Sequence, residues 1–534
     1  MKRLFLGLSM LAPCLAWSQL HYPSYKGLLD EIAKTSGHTL VERAHIGKSY
    51  AGEQIPIIKI QSSKTPKPTL LIVAGVDGKH PAGVLNALNV AQELLALPKD
   101  QLQELLATKS IWIVPVLNID AYKRNIGDLQ WTSGNGRAVD NDRDGRMDEN
   151  PAKDLNGDGV ISQMRIKSPA GLFKSHPILA DYLVAAEASK GEKGTYEVYV
   201  EGIDIDKDGL IGEDGAGGVN LDKNFAFDYP IFESESGDYA ASEPETRAII
   251  DFIFDNPQIA TVLHFGLQNN LSPPEVFDPR KASERIVKSW SNADAEVSKY
   301  VSHLYNQSVK SLGDAPKLAA GKGNFSSTVY YHTGKFSFVT PSWWIPATAG
   351  ADAKKLTKEE DKFVQWVKDN DIKGAILPWT KVSHPDFPHQ EVEVGGVVET
   401  YKHNPPAAHL TNSAKEHASF VVDLVRSMAS LAFSTPKVTS LGDDIYRVEV
   451  QVYNTGALPI YPALADRIKY VPKLKTVLEL QKGQQFISGK RLQTYPSLAA
   501  GKSTNFTWLI KGKGKAALTV GCPTAGEKTI DITL

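Results

Sequence analysis

Two stretches of the chain are apolar at nearly every position, Thr69 to Val76 and Ile111 to Leu117. Runs that are apolar on both faces suit strands of a covered, largely parallel sheet. Between them Leu88, Ala91, Leu94, Leu95, Leu102 and Leu105 recur at helical spacing, and Pro98 divides the stretch Ala87 to Leu106 in two. A strand, helix, strand unit is predicted. Farther on, Ser242-Glu243-Pro244-Glu245 reads as a capping box opening a helix to about Phe254, and Ile259 to Leu263 as a short strand that His264 terminates. Helical spacing ends with Phe420 to Ala432. From Val438 onward the segments are short and alternating: in Tyr446 to Val452 the apolar residues fall at every second position, and Asn454-Thr455-Gly456 turns the chain. The pattern predicts an α/β domain over residues 19–434 and an antiparallel β-sandwich over residues 435–534, the latter a packing or docking module without chemistry of its own.

The amino end changes the picture of destination. Lys2 and Arg3 precede an apolar run from Leu4 to about Leu15, and Ala16 and Ser18 flank Trp17, so residues 1–18 read as a secretory signal and the protein as periplasmic or secreted. The run falls short of the roughly 20 apolar residues a bilayer span needs, and no later stretch qualifies, so no transmembrane span is expected in the mature chain. Cys14 lies within this segment, which leaves Cys522 without a partner for an intrachain disulfide. Acidic residues number 61 and basic ones 59, with no run of Lys or Arg, so nucleic acid is not an expected partner.

Between residues 140 and 214 one short pattern occurs three times, as Asp140-x-Asp142-x-Asp144-Gly145, Asp154-x-Asn156-x-Asp158-Gly159 and Asp204-x-Asp206-x-Asp208-Gly209. Alternate oxygens converge in such a loop and the glycine permits the turn, which points to structural calcium in an insertion over about residues 140–214. The twelfth positions hold Pro151, Arg165 and Gly215 where a helix-loop-helix site has Glu, so these are not standard EF-hands. Asp148, Glu149, Glu213 and Asp214 are the nearby acids that would complete the shells.

Asp77-Gly78-Lys79-His80 follows the first apolar strand, where the carboxyl ends of parallel strands build sites. Asp77, His80 and His264 would together make a two-histidine, one-carboxylate site for a transition metal. The competing reading of each is a structural residue at a strand end. His384 and His389, around Pro385 to Pro388, read as loop residues.

Several phrases, in order, resemble the carboxypeptidase A-like zinc metallopeptidases, and in particular a bacterial branch with aspartate-rich loops and a carboxy-terminal sandwich. Ile46-Gly47-Lys48-Ser49 with Gly52 resembles the family's opening, and Val116 to Asp120 its Pro-x-x-Asn-Pro-Asp. Gly218 to Phe225 resembles Gly-Val-Asp-Leu-Asn-Arg-Asn-Phe, and Ser242 to Thr246 its Ser-Glu-Pro-Glu-Thr. The resemblance implies a mixed eight-stranded sheet flanked by helices, a zinc ion and a peptide substrate. It also implies His-x-x-Glu where this chain has Asp77 and His80, while His264 matches the later ligand. Pro341 stands at the position of the family's general-base Glu, and Ser342, one residue on, reads as pointing elsewhere. Asp222 and Lys223 replace the Asn-Arg pair that grips a terminal carboxylate, and Ser133 replaces the expected oxyanion-stabilising Arg, with Arg137 close by. With Arg137, Asp222 and Lys223 as candidate substrate-binding residues, the expectation is an exported carboxypeptidase-like protein that has lost ordinary peptidase activity and binds a peptide or cell-wall fragment. The alternative is an active hydrolase using a rearranged Asp77, His80 and His264 site.

Overall fold

The structure, a computed structural model, describes residues 20–35, 38–128, 131–140, 145–212, 215, 217–346, 358–468 and 471–534. The leader and the central residues of the first aspartate loop, Asp142 and Asp144, lie outside the described residues, as do Glu213 and Asp214. The chain divides into two compact units, one of residues 22–148, 214–347 and 403–534, the other built on residues 149–213 and 348–402.

In the first unit six strands form a mixed sheet: β1 (Val41–Lys48), β2 (Gln54–Ile60), β3 (Thr69–Ala74), β4 (Ser110–Val114), β5 (Ile259–Phe265) and β6 (Phe336–Thr340), in the order β1-β2-β4-β3-β5-β6. β3 pairs in parallel with β4 and β5, and β5 with β6, while β1, β2 and β4 meet antiparallel. All residues of β3 and β5 are buried, as a strand covered on both faces requires. The sheet therefore has six strands among the described residues, where the resemblance implied eight. Helices α1 (Pro81–Leu95) and α2 (Lys99–Thr108) follow β3, with Pro98 between them as expected. α3 (Pro244–Asp255) begins differently from the prediction. Glu243 is its N-cap and makes no side-chain cap. Glu245 accepts the Tyr50 N–H at 2.7 Å, so its carboxylate serves a distant loop as well as its own backbone N–H.

The polar members of the recognisable phrases bind one another. Ser49 Oγ donates to Asp120 at 2.7 Å, and Asn135 Nδ2 to Glu243 and Glu245 at 2.9 and 3.2 Å. Buried Asn224 donates to the carbonyls of Ser236 and Tyr239 and to Ser242 Oγ, and accepts from Glu243 N–H and Thr246 Oγ. These phrases are the framework of the loops around the sheet.

The carboxy-terminal part is a pair of antiparallel sheets. One holds Leu431–Phe433, Lys437–Gly442, Ile445–Asn454, Gln485–Ser488 and Ser503–Lys511, the other Leu474–Glu479, Leu492–Tyr495, Lys515–Cys522 and Gly526–Thr533. The predicted alternation holds, with Val448, Val450 and Val452 buried in one core with Trp508 and Leu518.

The second unit has its own six-stranded sheet. Val392–Val397 pairs antiparallel with Gln163–Lys167, so strands more than 200 residues apart in sequence share it. The sequence reading confined the insertion to about residues 140–214; Ile376–Val382 and Val392–Val397 also belong to its sheet.

Candidate functional site

Register brings the site together. Val73 and Val339 lie opposite His264 on either side, so the loops leaving the carboxyl ends of β3, β5 and β6 are neighbours. His80 is the N-cap of α1, directly before Pro81. The loop that carries it is pinned from beneath: Asn125 Nδ2 donates to the carbonyls of Gly78 and Thr132 at 2.7 and 2.8 Å. Gly78 is required by close approach, since a Cβ there would stand 2.4 Å from Ala121 Cβ and 2.6 Å from the Thr132 carbonyl. From the other side Asn404 accepts the Ala82 N–H and donates to the Lys79 carbonyl, each at 3.0 Å.

His80 and His264 are both 1% exposed. Burial pushes each imidazole down to about 3, so both are neutral at physiological pH. A neighbouring imidazole adds to each shift, His403 to that of His80 and His80 to that of His264. Both nitrogens of His264 and Nδ1 of His80 are buried without a side-chain partner, and the His80 ring interacts with the Phe265 backbone. His80 Nε2 lies 3.3 Å from Ser342 Oγ, so Ser342 faces this site, contrary to its reading from sequence. β6 ends at Thr340, and strand alternation no longer governs residues beyond it.

Asp77 is turned to different partners. One carboxylate oxygen accepts the Lys79 N–H at 2.7 Å and the other the Asn220 amide at 3.2 Å. Burial pushes the Asp77 carboxyl up, against these hydrogen bonds and that of Ser133. Asp77, His80 and His264 were expected to meet as one ligand set. Among the described residues only Asp204, Asp206 and Asp208 form a group of three such side chains with donor atoms all within 4.8 Å of one another. The Asp77 carboxylate is held by Lys79 and Asn220 instead.

The candidate substrate residues are also engaged. Asp222 accepts the Phe325 N–H at 2.9 Å and Gln268 Nε2 at 2.6 Å, and burial pushes its carboxyl up to about 7. Lys223 pairs with Glu235 at 2.5 Å. Arg137 pairs with Glu243 at 2.9 Å and with Asp238, so its charge is already neutralised. Of these three, Asp222 and Lys223 lie on the short helix Leu221–Asn224. Sequence reasoning missed Gln268 and His403, neither of which falls in a recognisable phrase.

The aspartate loops repeat one geometry. Asp154 accepts the N–H groups of Gly157 and Gly159, and Asp204 those of Lys207 and Gly209. Asp140 accepts the Gly145 N–H at 3.0 Å. Asn156 accepts the Asp158 N–H, and Asp158 that of Val160, so the second loop is internally hydrogen-bonded. His384 donates to the Gly202 carbonyl at 2.7 Å, a structural role, as its loop reading expected.

The zinc carboxypeptidase family model matches residues 26–340, more than half of the chain. The chain belongs to that family. Residues 430–533 match a domain of unknown function. Among solved structures, bovine thrombin-activatable fibrinolysis inhibitor in complex with tick carboxypeptidase inhibitor is 15% identical, with 76% of this chain and 97% of that chain covered and a TM-score of 0.42. The carboxypeptidase A of Helicoverpa armigera is 14% identical over 76% of this chain and 75% of that one, TM-score 0.38. A metallo-carboxypeptidase of Burkholderia cenocepacia is 10% identical over 75% and 68%, TM-score 0.36. No curated protein matches the chain.

Membership implies zinc, which in catalytic sites takes three protein ligands and a water. Here two imidazoles offer nitrogens without side-chain partners, while the carboxylate expected as third donor is hydrogen-bonded elsewhere. Among the described residues these three side chains do not come together as a donor set.

Proposed function

We propose that this family member binds a peptide or cell-wall peptide fragment in its pocket without hydrolysing it, as an exported protein. The observation that carries the reading is the orientation of Asp77, whose carboxylate serves Lys79 and Asn220. Burial keeps His80 and His264 neutral, and Pro341, at the position the resemblance gives the base, has no group to accept a proton. A neutral imidazole with an unpartnered nitrogen can accept a peptide N–H.

The test combines binding and turnover on one peptide panel, by calorimetry and by mass spectrometry of products. Binding is expected, with product formation no greater than for His264→Ala. Turnover that His264→Ala abolishes would overturn the reading. An active metal-dependent hydrolase is the second reading, favoured by the imidazole nitrogens of His80 and His264 that have no side-chain partner.

The aspartate loops we read as structural calcium sites, supported by the close approach of the Asp204, Asp206 and Asp208 donor atoms. Calcium titrated into chelator-washed protein should raise the melting temperature; an unchanged one would count against the sites.

A further inference from the structure

The loop that follows the helix Leu221–Asn224 holds a side chain where neither solvent nor backbone favours it. Phe232 is 88% exposed, and Ile231 beside it 66%. Phe232 also has φ +62°, the left-handed region in which a bulky side chain crowds its own backbone. Asp228, Glu235 and Ala241 share positive φ, so the strain runs through the loop. A glycine in place of Phe232 would relieve the strain and remove the exposed ring, so folding alone does not account for phenylalanine there. Strain of this kind persists only where the surroundings impose it, and it clusters at ligand clamps.

The surroundings impose it from both sides of the tip. Asp228 pairs with Lys288 at 2.6 Å and Glu233 with Lys322 at 2.5 Å, while Glu235 pairs with Lys223. The Tyr229 hydroxyl donates to the Gly237 carbonyl at 2.7 Å and closes the base of the loop. Asp228, Lys288 and Lys322 also line a cavity of about 380 Å³, within the range of ligand sites. Its wall includes Gln268, which donates to Asp222, and Val339, which lies opposite His264 in the sheet. The ion pairs that hold Phe232 outward thus belong to the cavity's lining. Being matched, they offer a ligand no unpaired charge, whereas the tip offers it apolar surface. A peptide is longer than such a cavity, and the residues that remain outside must cross its edge.

We infer that Ile231 and Phe232 form an outer contact site for an apolar side chain of a peptide whose end occupies this cavity. The inference rests on the reading of the protein as peptide-binding and adds the residue class recognised outside the cavity.

The experiment is calorimetric titration of the full chain with four acetylated tetrapeptides ending in tyrosine: one has glycine at the three preceding positions, and the others have leucine at each of these in turn. One leucine peptide is expected to bind about fivefold more tightly than the glycine peptide, the factor that partial burial of a leucine side chain supplies. Phe232→Gly should reduce that preference to less than about twofold and should not lower the melting temperature, since it relieves the positive φ. Equal binding of all four by the wild type, or a leucine preference that Phe232→Gly retains, overturns the inference and leaves peptide binding standing. A lowered melting temperature would make Phe232 a packing residue and overturns it too. Binding of none of the four overturns both.

Discussion

On the correspondence that the resemblance implies, Asp77 and His80 in place of a histidine and a glutamate keep the side-chain inventory but change what the carboxylate can reach. A short Asp directly after β3 finds the Lys79 N–H and the Asn220 amide, and these hydrogen bonds hold it. Restoring the order should therefore restore metal affinity: Asp77→His with His80→Glu is expected to take up about one zinc per chain, read by metal analysis after dialysis, and no uptake would show that more than order has been lost. Glu245 offers a pH test. Burial raises its carboxyl from 4.5 to about 7 in the folded chain. Its contribution to stability is thus fully present below about 4.5 and lost as pH rises through 7. Denaturation curves at pH 5 and pH 8 should show a smaller loss of stability in Glu245→Gln than in the wild type; equal losses would refute the assignment. The sequence made His80 and His264 legible as strand-end residues. It hid the direction of Asp77, which depends on Asn220, 143 positions away, and it hid Gln268, which carries no motif.

At the scale of elements, the recognisable phrases persist because their polar atoms bind each other. Asn224 joins the Gly218 to Phe225 phrase to the start of α3 through three hydrogen bonds, with Ser242, Glu243 and Thr246, and to the loop before it through two more, to the carbonyls of Ser236 and Tyr239. Asn224→Ala strands several buried partners and should cost about 2–4 kcal/mol in urea denaturation; a loss below about 1 kcal/mol would mean the network relaxes around the gap. Continuous apolar runs announced β3, β4 and β5, since both faces of each are covered. The predicted capping box did not form: Glu243 is the N-cap, and Glu245 also accepts the Tyr50 N–H. The pairing of Val392–Val397 with Gln163–Lys167 was illegible, because neither segment's composition encodes a partner so far along the chain.

At the scale of the molecule, the carboxy-terminal sheets join the sheet domain through buried polar contacts as well as apolar packing. Asp294, on the helix Asn292–Ser308, accepts the N–H groups of Ala463 and Leu464 at 2.7 and 3.0 Å and the Tyr330 hydroxyl at 2.8 Å. Lys109 donates to the Ala429 carbonyl, and burial pushes its amine down to about 8. Asp294→Ala should lower stability by about 2–4 kcal/mol and separate the unfolding of the two parts in calorimetry; a single unshifted transition would contradict that coupling. The alternation from Tyr446 to Val452 made the sandwich legible, but the residues that fasten it, Asp294 and Lys109, lie in other parts of the chain.

Zinc stoichiometry of the wild-type chain, stripped with chelator, reloaded with zinc and dialysed, tests the central claim most directly. The orientation of Asp77 predicts well under one tightly held ion per chain, unchanged in His264→Ala. About one ion per chain, lost in His264→Ala, would mean that the carboxylate turns to join the imidazoles and that the site is a working metal centre.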